Sequence, residues 1–73
     1  MLDESWKDIP GFPGYIISDH GNVRVWKDNM AFPVVTRKDK SGSEIVVLYR
    51  RNRVCARRIR VLMASVFPEV KYA

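Results

Sequence analysis

With 73 residues, a formal charge of +5 and 47% apolar side chains, the chain has room for one small domain and enough apolar surface to close a core. These values argue against a multidomain enzyme and a chain disordered throughout, and one cysteine excludes an internal disulfide or a cysteine-based metal site. No apolar run approaches the roughly 20 residues of a membrane span, and the acidic start MLDESWKD lacks a secretion signal's apolar region, so a cytoplasmic protein is expected.

In chain order, residues 1–5 read as a loose polar tail ahead of one domain spanning 6–73. Pro10-Gly11 and Pro13-Gly14 turn the chain on either side of Phe12, since proline presets φ and glycine accepts positive φ. Tyr15–Ser18 is a short apolar strand, Asp19-His20-Gly21-Asn22 a tight connection, and Val23–Trp26 an alternating strand, together a β-hairpin. Lys27-Asp28-Asn29 is a loop. Met30–Arg37 reads as a third strand, pushed to an edge by Pro33. After a polar turn containing Gly42, Glu44–Arg50 is a fourth strand, and Arg51-Asn52 turns it into Val54–Arg58. Ile59, Leu62, Met63, Val66 and Phe67 then follow helical spacing, and Pro68 stops the helix. The expected fold is α+β: a small antiparallel sheet of three to five strands with one C-terminal helix at about residues 59–67.

Charge is unevenly spread. Residues 1–19 set Asp3, Glu4, Asp8 and Asp19 against Lys7 alone, whereas no acid lies between Glu44 and Glu69. Within that basic half, Arg50, Arg51, Arg53, Arg57, Arg58 and Arg60 fall in eleven positions. Six crowded cations repel one another, and guanidinium forks suit phosphates and carboxylates, so a negative partner is expected. On a strand without a bulge Arg53 and Arg57 share a face, with Arg51 joining them; Arg50, Arg58 and Arg60 line an edge or the helix start.

Other candidate chemistry is thin. His20 is the only histidine and lies in a turn beside Ser18 and Asp19, which are turn-forming residues. No metal-ligand or phosphate-loop motif is present, so no catalysis, metal or cofactor is expected. Cys55 reads as a buried structural thiol. Trp6, Phe12 and Tyr15 read as core aromatics, and Trp26 suits either the core or stacking on bases.

Trp6, Ile9, Gly11, Phe12, Tyr15, Ile17, Ser18, Gly21, Val23 and Arg24 together resemble the opening motif of the fourth type of nuclease-associated modular domain. Leu62, Met63, Ala64, Phe67 and Pro68 resemble its closing helix. The likeness spans about residues 6–68. It departs at Arg60 and Val61, where the family usually carries His and Arg. The resemblance implies a domain that sits in front of an HNH nuclease and helps it grip DNA. No His-x-Asp-Gly-Asn segment follows, which suggests a targeting domain without its catalyst.

Three functions follow. One is a stand-alone DNA-binding module, and another an accessory to a separate HNH nuclease. The third is a phage regulator that binds host RNA polymerase, altering initiation or antitermination. Length, charge and stand-alone form are similar to those of small antiterminators of lytic phages. The regulator is placed first, because a lone weak DNA binder has no obvious output. It is expected to be a non-enzymatic monomer in the cytoplasm of an infected bacterium. It would contact its partner, polymerase or DNA, through Arg24, Arg50, Arg51, Arg53, Arg57, Arg58 and Arg60.

Overall fold

A computed structural model of the chain describes residues 3–69. Seven strands form two antiparallel sheets, followed by one helix. The first sheet holds β1 (Trp6–Asp8), β2 (Tyr15–Ser18), β3 (Val23–Lys27) and β4 (Met30–Pro33), in that order. The second holds β5 (Arg37–Lys38), β6 (Glu44–Arg50) and β7 (Arg53–Arg58), and α1 (Ile59–Val66) follows directly. The expected α+β fold is observed, with two sheets in place of the single one read from the sequence. The stretch from Met30 to Arg37 is split between them. Pro33 closes β4 because it has no N–H to continue a ladder, and Val34 N–H donates instead to the Val23 carbonyl at 2.9 Å.

One core joins both sheets to the helix. Ile17 and Tyr15 of β2, Val23 of β3, Val46 and Leu48 of β6, and Ile59, Leu62, Met63 and Val66 of α1 are buried together with Ile9, Phe12 and Phe67. Alternation decides the faces: Val46 and Leu48 turn inward, so Ile45, Val47 and Tyr49 turn outward. Tyr15 ties the sheets together, its hydroxyl accepting the Tyr49 N–H at 3.1 Å. Lys7 reaches over the Phe67 ring at 4.8 Å and caps the helix end by donating to the Val66 carbonyl.

Trp6 is half-buried and outside this core, a correction to its reading as a core aromatic. Register places Trp6, Asp8, Ile16, Arg24 and Trp26 on the opposite face of the first sheet. There the Arg24 guanidinium crosses β2 to lie 4.6 Å over the Trp6 ring. Ile16, in the row between Asp8 and Arg24, is only 8% exposed although it faces away from the core.

Residues 1 and 2 of the expected tail, and 70–73 of the expected domain, lie outside the described residues. Glu4 and Ser5, read as part of that tail, are fastened to the β2–β3 turn. Glu4 Oε2 accepts from Ser18 Oγ at 2.6 Å and from Asn22 Nδ2 at 2.7 Å. Ser5 N–H donates to Asp19 Oδ1 at 3.1 Å, and Asp19 N–H donates back to the Ser5 carbonyl at 3.0 Å. Ser18, fully buried, is satisfied by Glu4 and by the N–H groups of His20 and Asn22.

These bonds hold the Glu4 carboxyl below its ordinary value of 4.5, chiefly through Ser18 and then Asn22. With the folded value below the unfolded one, the stabilisation is present above about pH 4.5 and is lost as pH falls through the folded value. Thermal unfolding followed from pH 7 to pH 3 should therefore steepen its decline below pH 4.5, and Glu4→Gln should flatten that limb. An unchanged limb in the variant would show that the clamp contributes nothing.

Candidate nucleic-acid interface

The β6–β7 hairpin carries most of the arginine block. Its register is unbroken from Arg50↔Arg53 to Ile45↔Arg58, so no bulge intervenes. Arg53, Cys55 and Arg57 lie opposite Arg50, Leu48 and Val46, on the side of the hairpin that faces the core. Beyond the core's edge these arginines are exposed. Arg57 lies 5.3 Å from the centre of the Phe12 ring, and a methyl group at Gly11 would sit 3.8 Å from Arg50 Nη1. The Pro10–Gly14 double turn thus packs beside the arginines, and Gly11, at φ +82, turns where a side chain is disfavoured.

The arginines separate into three groups. Arg50, Arg51 and Arg53 line one cleft at the hairpin tip together with Cys55. Arg58 and Arg60 border another, with Lys38, Ser41, Ser43 and the acidic Glu44, where the hairpin runs into α1. Arg24 and Arg57 belong to neither: Arg24 is stacked on Trp6 across the first sheet and Arg57 lies over Phe12. Cys55 is half-buried rather than fully enclosed. His20 stands with Nδ1 4.0 Å from Glu4 and Nε2 3.7 Å from Asp19, contacts that become ion pairs when the ring is protonated. Among the described residues no three His, Cys, Asp or Glu side chains cluster as a metal site would require.

Several arginines stand where folding disfavours them. Arg50 and Arg53 are directly opposed in register, and like charges so placed destabilise a sheet. Arg51 adopts φ +48 and Asn52 φ +64, the left-handed pair of a two-residue turn in which asparagine and glycine fit best. Arg58 is the N-cap of α1 with no side-chain capping bond, and no acid lies in the first turn. Arg58 and Arg60 therefore meet the positive end of the helix dipole, which favours anions. Among the described residues no ion pair forms with Arg50, Arg51 or Arg53.

The turn offers a direct check. Arg51→Gly relieves a left-handed conformation that costs a non-glycine residue about 1–2 kcal/mol, against glycine's extra chain entropy of about 0.5–1 kcal/mol. Thermal unfolding should move upward by a few degrees or stay level, while affinity for a polyanion falls. A clear loss of stability would make Arg51 a structural residue.

The sequence missed the flanking partners of this interface. Lys38, Ser41 and Ser43 precede the arginine block in the chain, and the β5–β6 pairing Lys38↔Glu44 with the β6–β7 pairing Ile45↔Arg58 brings them alongside Arg58. Asp39, whose Oδ1 accepts from Ser41 and Ser43, shapes that turn, and the Ser41 bond foremost holds its carboxyl below the ordinary 3.8.

The family model described as the NUMOD4 motif matches residues 4–59. No curated protein matches the chain. Among solved structures, the chain is similar to one described as DNA binding and cleavage by the HNH homing endonuclease I-HmuI, at 25% sequence identity and a TM-score of 0.74. The match covers 86% of this chain and 36% of that one, so the chain spans about a third of the endonuclease's length. With the motif matched over most of its residues, the chain belongs to the NUMOD4 family, the fourth type of nuclease-associated modular domain.

Proposed function

We propose that the chain is a non-catalytic module that grips duplex DNA through the β6–β7 hairpin and the start of α1. The observation that carries this reading is the placement of the arginines. Opposed in register or set at a helix N-terminus, they repel one another and the helix dipole, and phosphates would offset those charge costs. The similarity to a DNA-binding homing endonuclease supports the same ligand. Arg51 at the tip, Arg53 and Arg57 along the free edge strand, and Arg58 and Arg60 at its base would contact the backbone. Arg24, occupied by Trp6, would position the first sheet rather than bind.

Catalysis would come from a nuclease supplied elsewhere, in a longer or a separate chain. A monomer acting in the cytoplasm of a phage-infected bacterium fits that role. Binding to host RNA polymerase, placed first on length, charge and stand-alone form, has no support in the fold or the comparisons and gives way to DNA. Fluorescence anisotropy of a labelled duplex titrated with purified chain tests the proposal. Affinity should fall steeply with salt, since each phosphate contact adds about −0.9 to the slope of log K against log salt. Salt-independent binding, or none below 50 μM at 50 mM salt, would refute it. No cleavage should accompany binding in Mg²⁺, and reproducible cleavage by the pure chain would overturn the non-catalytic part.

A further inference from the structure

The outer face of the second sheet is unlike an ordinary solvated sheet face. Register sets Val47 beside Ala56 and Tyr49 beside Val54, with Ile45 beside Arg58 and Arg37. Tyr49 is 60% exposed and Val54 64% exposed. Between its ends this face holds no amide, carboxylate or guanidinium; its one hydrogen-bonding side chain is Tyr49. Cations stand at both ends: Arg51 in the turn, Arg37 and Arg58 at the base.

We infer that this face reads thymine methyl groups on the floor of the major groove. The inference rests on the duplex-binding proposal and names how that site would select sequence. A two-stranded β-ribbon fits the major groove, about 12 Å wide. Five residue steps separate Arg50–Arg53 from Ile45–Arg58, about 17 Å at strand rise. A ribbon laid across the groove therefore places its apolar middle over the bases and Arg51, Arg37 and Arg58 over the flanking phosphates, while Arg53 and Arg57, on its other face, reach the backbone past the free edge of β7. Valine and alanine cannot pair with the donors and acceptors of either base-pair edge, so an apolar base group is what they can contact favourably. The thymine C5-methyl is the apolar group that the major groove offers. Opposite charge at both ends makes a duplex the occupant that fits, since a purely apolar partner would leave the cations stranded.

The test compares duplexes that differ only in those methyls. Poly(dA-dT) is set against poly(dA-dU), and poly(dG-dC) against its 5-methylcytosine form, whose minor groove is unchanged. Each methyl buried should raise affinity about fourfold, the value of one apolar carbon, so several contacts give a tenfold or greater preference for the methylated member of each pair. Val47→Thr and Val54→Thr keep a β-branched strand residue, and thermal unfolding confirms that they fold. They should lower affinity for poly(dA-dT) more than for poly(dA-dU), narrowing the gap between the two. Equal affinity within both pairs overturns methyl readout and leaves duplex binding standing. No binding to any of the four overturns the duplex reading itself.

Discussion

Replacing Arg51, Arg53 and Arg57 together with glutamine should weaken duplex DNA binding on the order of 10²- to 10³-fold at 0.1 M salt. The magnitude follows from counterion release. A slope of about −0.9 per phosphate contact makes each contact worth roughly eightfold between 1 M and 0.1 M salt, and three such factors multiply. The slope itself should become shallower by about 3. Folding should suffer little. Arg51 and Arg53 are exposed, and Arg57 loses its place over Phe12, an exposed cation–π contact of about 0.5–1 kcal/mol, and an exposed hydrogen bond to the Ala56 carbonyl. Part of that loss is returned by relieving the opposed Arg50–Arg53 pair. Anisotropy across a salt series with matched thermal unfolding separates the two effects. An unfolded triple variant would make the arginines structural, and unchanged affinity would leave the hairpin a solvated surface.

Leu48→Ala should have the largest effect on folding. Leu48 is fully buried in β6, the central strand of the second sheet, facing the helix and the first sheet's core residues. Truncating such a leucine costs about 2–5 kcal/mol. A domain of this size has roughly 4–11 kcal/mol in total, so the variant should melt some 10–30 °C lower. Val54→Ala, two thirds exposed on the outer face of the adjacent strand, should stay within about 0.5 kcal/mol of the parent. Comparable losses for both would mean that the outer face is also packed in solution.

The elements with a clear period were legible in the chain. Glu44–Arg50 and the helix from Ile59 were placed closely because apolar residues recur there in runs or at helical spacing. Trp6–Asp8 was not read as a strand: three residues give no period, and its pairing with Tyr15–Ser18 closes across two turns. Nor can a sequence tell that Met30–Pro33 and Arg37–Lys38 serve different sheets, since that depends on where Val34 bonds after Pro33 ends the ladder.

The candidate site was legible as composition and only partly as geometry. Six close arginines announce a negative partner. Alternation puts Arg51, Arg53 and Arg57 on one face; the unbroken register keeps Arg53 and Arg57 together, but Arg51 lies in the turn and Arg50, read as an edge residue, takes its place opposite Arg53. Arg24 was grouped with them on charge alone, and its stacking across the sheet on Trp6 depends on a register no local pattern reveals. The same holds for Glu4, whose bonds to Ser18 and Asn22 span fourteen and eighteen residues. Lys38 reaches Arg58 only through the β5–β6 and β6–β7 pairings together.

Duplex DNA held by the β6–β7 hairpin and the start of α1 should leave its mark on those residues. Amide chemical shifts of the isotope-labelled full chain, recorded during titration with a 20-base-pair duplex at 50 mM salt, test it most directly. Shifts concentrated on residues 50–60 and on Lys38–Ser43, reversed by raising salt to 0.5 M, are the expected result. Shifts confined to the Trp6–Trp26 face of the first sheet, with residues 50–60 unmoved, would contradict it.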